Sequence, residues 1–123
     1  MIKLVRLDYR LLHGQVVFSW TGHVGAQRII VVDDDAANDE MKKSALLLSK
    51  PAGVRVNIFT VDKAIAKMPK VEQLDEKIMM IFGNTAALLK FCQAYPKIKE
   101  INYGAVANKP GSVCLLYTSD AAD

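Results

Sequence analysis

The chain has 123 residues, 51% of them hydrophobic and 24% charged, with a formal net charge of +3. That is enough apolar material for the core of one domain, and it excludes a disordered chain or a repeat array. No apolar run approaches the roughly 20 residues of a membrane span. Lysines such as Lys42, Lys43, Lys63 and Lys67 are spread over helix faces instead of gathered in a block, which speaks against a nucleic-acid partner.

The first element is a strand over 2–7. Lys3, Val5 and Leu7 point to one side, while Ile2, Leu4, Arg6, Asp8 and Arg10 point to the other and turn from apolar to charged as the chain leaves the sheet. This start has strand periodicity and none of the basic and apolar regions of a signal peptide, so a cytoplasmic protein is expected. A helix over 14–24 follows, with Val17, Trp20 and Val24 spaced as a buried or partner-facing stripe. Further strands are expected at 28–33, 54–60, 77–82 and 99–103, each rich in Ile, Val, Met or Phe. Helices fit 36–49, 62–68 and 85–95, the first of these opening near Asp34 and closing before Pro51 and Gly53, the last stopped by Pro96. Alternation at this spacing predicts right-handed crossovers and an α/β fold, a doubly wound, mainly parallel sheet with helices on both faces. Cys92 falls in a helical pattern as a core residue, and with Cys114 it forms neither a metal motif nor an expected disulfide.

The chemistry gathers where the first strand hands over to the first helix, in Arg6-Leu-Asp8-Tyr-Arg10-Leu-Leu-His13-Gly14-Gln15-Val16. In open α/β sheets the carboxyl ends of strands carry the ligand crevice, and the next helix turns unpaired N–H groups and a positive dipole end toward any anion there. Imidazole, with an ordinary pKa of about 6.5, keeps one ring nitrogen free near neutral pH and can accept a phosphoryl group. Phosphoryl transfer asks mainly for position and positive charge on the equatorial oxygens. His13 is the candidate acceptor, Arg10 and the amides of Gly14 and Gln15 the candidate phosphate contacts, and Asp8 the group that orients Arg10 or the His13 ring. No metal or other cofactor is expected.

Other polar residues gather at predicted strand ends. Asn84 and Thr85 are candidate phosphate or substrate contacts, since a second helix start aimed at the same crevice adds donors; Asn84 is equally an ordinary N-cap. Asn102 and Gly104 are placed to wall the crevice. His23 has no acidic partner at ligand spacing, and Trp20 is read as packing. Ile29-Ile-Val-Val-Asp33-Asp34-Asp35 supports a different reading, the acidic pocket of a receiver phosphorylated on aspartate, and a non-catalytic ligand-binding α/β module is a third.

The run around His13 resembles the phosphorylation-site signature of the enzyme IIB components of mannose/fructose/sorbose-class sugar phosphotransferase systems, near Arg-Ile-Asp-Asp-Arg-Leu-Ile-His-Gly-Gln-Val. Leu7 and Leu12 are conservative departures, and Tyr9 stands where the family has an acidic residue. The resemblance continues through Trp20, Arg28-Ile-Ile-Val-Val-Asp33-Asp34, Pro51-Ala-Gly53-Val54, Phe82-Gly83-Asn84-Thr85 and Asn102-Tyr-Gly104, over about residues 1–112. It implies a protein-N(π)-phosphohistidine–sugar phosphotransferase, cytoplasmic and peripherally associated with a membrane permease. His13 is then charged on Nδ1 by a phosphohistidine of an enzyme IIA protein or domain, with Arg10 the first phosphate contact and Arg6, Gly14 and Gln15 secondary ones, and the phosphate passes to a sugar held by IIC and IID membrane components. The apolar face of the first helix leaves room for a homo-oligomer. Residues 1–112 are expected to form an incomplete IIB domain lacking the family's last elements. Residues 113–123, ending Cys114-Leu-Leu-Tyr-Thr-Ser-Asp-Ala-Ala-Asp123, resemble a translated transposon-end sequencing adapter and are expected to be a non-native tail.

Overall fold

A computed structural model of the chain describes residues 1–12, 15–98 and 100–104. The apolar runs form strands β1 (Ile2–Leu7), β2 (Arg28–Val32), β3 (Arg55–Phe59), β4 (Ile78–Phe82) and β5 (Asn102–Tyr103). They lie in the order β3-β2-β4-β1-β5, and every pairing is parallel. The helices are α1 (Gln15–Val24), α2 (Asp34–Ala37), α3 (Glu40–Leu48), α4 (Val61–Val71) and α5 (Thr85–Ala94). No helix among the described residues is long and apolar enough to cross a membrane.

A strand covered on both faces reads as a continuous apolar run. Accordingly all five residues of β4 are buried. Alternation then sorts the strands into two cores. Val5, Leu7, Ile30, Val32, Met80 and Phe82 face α4 and α5; Ile29, Val31, Met79 and Ile81 face α1, α2 and α3. β1 leads through α1 to β2 on one side, and β4 leads through α5 to β5 on the other. Their carboxyl ends therefore flank the point where the winding reverses, the place such sheets keep for ligands.

Four expectations need correction. The β1 register slips between Ile2 and Leu4, which sets Ile2 against the α4/α5 core beside Val5 and Leu7 instead of with Leu4 and Arg6. The helix expected at 36–49 is two helices. Asp33 accepts from the Asp35 amide at 3.3 Å, and Asp39 accepts from the amides of Met41 and Lys42 at 2.9 and 3.2 Å. Two such N-caps specify two starts. The helix expected at 62–68 continues through Pro69 to Val71. A proline inside a helix costs about 3 kcal/mol, but Val61, Ala64, Met68 and Val71 form one buried face that carries the helix past it. The fifth strand is also shorter than expected, a two-residue pairing in which Asn102 and Tyr103 meet Arg6 and Leu7.

Candidate functional site

β1 ends at Leu7, and its ladder continues one step as the Asp8 amide donates to the Phe82 carbonyl at 2.9 Å. The chain then turns: the Leu11 amide donates to the Asp8 carbonyl at 3.0 Å, and Leu11 takes φ 55°. This left-handed conformation costs a non-glycine residue roughly 1–2 kcal/mol. Burial of Leu11 and Leu12 in the α1-side core offsets it. His13 and Gly14 lie outside the described residues; Gln15 opens α1.

Alternation puts Arg6 and Asp8 on one side of β1. Asp8 is 0% and Arg6 1% exposed, so each charge needs partners at hand. The Asp8 carboxylate accepts from the Arg10 amide at 3.0 Å, from Arg10 Nε at 3.2 Å through Oδ1, and from Arg10 Nη2 at 3.1 Å through Oδ2. Arg6 Nε lies 3.4 Å from Asp8 Oδ2, its Nη1 donates to Asn102 Oδ1, and its guanidinium sits 5.9 Å from the centre of the Trp20 ring. One carboxylate between two guanidinium groups leaves the cluster net positive. Arg10, at 38% exposure, is the cation that meets solvent. The Asp8 hydrogen bond, and next its charge, hold Arg10 above its ordinary pKa. The fork occupies Nε and Nη2, and Nη1 engages no partner among the described residues.

Gly104 closes the back of this cluster. Its amide donates to the Leu7 carbonyl at 2.7 Å, and a Cβ there would lie 2.6 Å from both Arg6 Nη2 and Asp8 Oδ2. Sequence reasoning placed Asn102 and Gly104 at the crevice wall but missed their contact with Arg6, as it missed Trp20 against Arg6. The only sequence signal is a polar, glycine-ended turn after a strand, and the register that uses it depends on β5 pairing with β1.

The other strand ends converge from β2 and β4. A Cβ on Gly83 would lie 2.8 Å from Asp33 Oδ2 and 3.2 Å from Leu11 Cδ2. Asn84 Oδ1 accepts from the Ala87 amide at 2.8 Å, the capping role open to it, and Thr85 is the first residue of α5. Burial, above all, pushes the Asp33 carboxyl up. The acidic run that would form a receiver pocket is occupied locally: Asp33 caps α2, Asp34 Oδ1 accepts from the Val61 amide at the start of α4 at 2.8 Å, and Asp35 pairs with Lys42. Among the described residues no cluster of His, Cys, Asp and Glu is arranged to hold a metal ion. His23 meets the edge of Trp20 at 5.6 Å, and Cys92 is buried in the core.

The chain matches the family model described as PTS system sorbose subfamily IIB component over residues 2–119. It is similar to the sorbose-specific EIIB component of the phosphotransferase system of Klebsiella pneumoniae, 36% identical over 110 residues covering 89% of this chain and 67% of that protein. It is also similar to the mannose-specific EIIAB component of Escherichia coli, 34% identical over 111 residues covering 90% of this chain and 34% of that one. Among solved structures, the IIBSor domain of the sorbose permease from Klebsiella pneumoniae matches with a TM-score of 0.80 and 36% identity, covering 90% of this chain and 68% of that chain.

Proposed function

We propose, from the premise that this chain belongs to the sorbose subfamily of phosphotransferase-system IIB components, that it relays phosphate through His13 from an enzyme IIA component to an incoming sugar. In the first step the His13 ring nitrogen attacks phosphorus on the donor phosphohistidine. The new N–P bond forms as the donor's N–P bond breaks, and the electron pair returns to the donor imidazole. In the second step a sugar hydroxyl oxygen attacks the same phosphorus, the His13 N–P bond breaks, and the hydroxyl proton is released. Each step exchanges one oxygen or nitrogen partner for another, so the protein's part is placement and charge.

The observation that carries this reading is the Asp8–Arg10 fork, three positions before His13 at the carboxyl end of β1. Arg10 is held through Nε and Nη2, its side chain is partly exposed, and Nη1 is the donor left for an equatorial phosphate oxygen. Arg6 acts behind it, through Asp8 and Asn102. Gly14 and Gln15 supply amides to the same anion, and Asn84 and Thr85 border it from β4. The match to only 34% of an EIIAB component is consistent with a IIA partner, on the same chain or another. Sugar-bearing IIC and IID components then place the relay at the cytoplasmic face of a membrane permease.

Incubation with a radiolabelled phosphorylated IIA component tests this. The expected product is acid-labile, base-stable label that is discharged on adding the membrane components and sugar. A magnesium-dependent acyl phosphate favours the receiver reading, and absence of label leaves a ligand-binding module.

A further inference from the structure

The outer edge of the sheet carries a second charged surface that shares no residue with the β1 exit. Every residue of β3 is exposed or half-buried, because α4 turns its buried face, Val61, Ala64, Met68 and Val71, inward. A cavity of about 350 Å³ opens between α4 and the outer strands, within the range of small-molecule sites. Its floor is apolar, formed by Ile30, Phe59 and Leu74, and its rim is cationic, formed by Lys63, Lys67 and Lys70. These lysines follow one another at helical spacing, so they share a face.

Charge complementarity points to an anion. No Asp or Glu lines the cavity, and none of the three lysines makes an ion pair among the described residues. Of the carboxylates on the neighbouring elements, Asp62 pairs with Lys90, Glu72 with Tyr95 and Lys97, and Glu76 with Arg55 and with Arg28, a cation that itself lines the cavity. Lys63 Nζ lies 5.3 Å from the centre of the Phe59 ring, which places a cation directly beside a flat apolar surface. Arg28 donates to Asn57 Oδ1, and this orients the Asn57 amide group at the cavity wall.

We propose that this groove binds an organic phosphate, its phosphate group across the α4 lysines and its body, a base or the apolar face of a sugar ring, against Phe59 and Leu74. A nucleotide and a sugar phosphate share that chemistry. Three like charges on one helix face repel one another, and a dianion bridging them relieves the repulsion.

The test is titration of the isotope-labelled full chain, followed through its amide resonances, with three probes: AMP, a hexose 6-phosphate and inorganic phosphate. Saturable shifts confined to α4 and β3 are expected with AMP or with the hexose phosphate, and which of the two binds more tightly identifies the source. Lys67→Glu and Lys70→Glu are each expected to weaken binding about tenfold, a loss of roughly 1.4 kcal/mol, while the remaining resonances and phosphate acceptance from a IIA donor stay unchanged. Added salt weakens binding as well. The proposal is overturned if none of the three probes gives saturable shifts in α4 and β3, if binding survives both charge reversals, or if inorganic phosphate binds as tightly as the organic phosphates, which would leave the apolar floor without a role.

Discussion

Arg10 holds Asp8 through two parallel contacts, Nε to Oδ1 at 3.2 Å and Nη2 to Oδ2 at 3.1 Å, with Tyr9 alone between them in the chain. The two partners differ in burial, and this separates their roles. Asp8 is enclosed with Arg6, so Asp8→Asn removes the negative member of a buried ion pair and is expected to cost about 3–5 kcal/mol of folding stability. Arg10 is partly exposed, and Arg10→Ala leaves Asp8 still facing Arg6. Its stability cost is expected to be smaller, roughly 1.5–3 kcal/mol, while its phosphate-acceptance rate falls by about 10²–10³. Denaturant unfolding and stopped-time labelling of the two variants, side by side, check this division. Equal stability losses, or an Arg10→Ala chain labelled at the parent rate, contradict it.

Gly104 and Gly83 both sit where an added methyl group would collide, but with neighbours of different freedom. At Gly104 the obstacles are Arg6 and Asp8, each pinned in a buried pair. At Gly83 the closest is the half-buried Asp33 carboxylate, held at its other oxygen by one amide. Gly104→Ala is expected to destabilise the fold by about 1–3 kcal/mol, the range of overpacked cores, and to slow phosphate acceptance by displacing Asp8 from Arg10. Gly83→Ala is expected to cost less. Thermal unfolding of both variants ranks them, and the reverse order would show that the Arg6–Asp8 pair yields easily.

Asp33 and Glu76 respond to pH with opposite sign. Burial chiefly raises Asp33 above its ordinary 3.8, so between that value and the raised one the folded chain binds more protons than the unfolded chain. Stability therefore falls as pH rises through this window. The hydrogen bond from Arg28 chiefly lowers Glu76 below its ordinary 4.5, so its contribution is present above that value and is lost as pH falls through the depressed one. Asp33→Asn keeps a capping oxygen and is expected to remove the decline and to be at least as stable as the parent near neutral pH. Glu76→Gln is expected to lose stability near neutral pH and to change less on acidification. Urea unfolding across the acid range checks both. An Asp33→Asn curve parallel to the parent's contradicts the burial argument.

Much of this was legible in the sequence because local patterns carry it. Uninterrupted runs such as Ile78-Met-Met-Ile-Phe82 mark strands covered on both faces, and the cluster Arg6, Asp8, Arg10 sits at a strand end by alternation alone. The break between α2 and α3 is hidden in the sequence because Asp39 falls inside one continuous helical stretch, although it caps a second start. The continuation of α4 through Pro69 is not legible locally, because propensity says nothing about the core waiting for Val71. The Arg6–Asn102 contact and the space requirement at Gly104 depend on which strand lies beside β1. Strand order is a long-range outcome that no short window of residues encodes.

The chemical identity of the phosphorylated residue decides the central claim. Tandem mass spectrometry of the chain, charged by a phosphorylated IIA component and kept at alkaline pH, is expected to locate phosphate on His13 and to find none on a His13→Ala chain whose unfolding curve matches the parent's. Phosphate on His23 or on an aspartate, or a His13→Ala chain labelled as strongly as the parent, contradicts the relay.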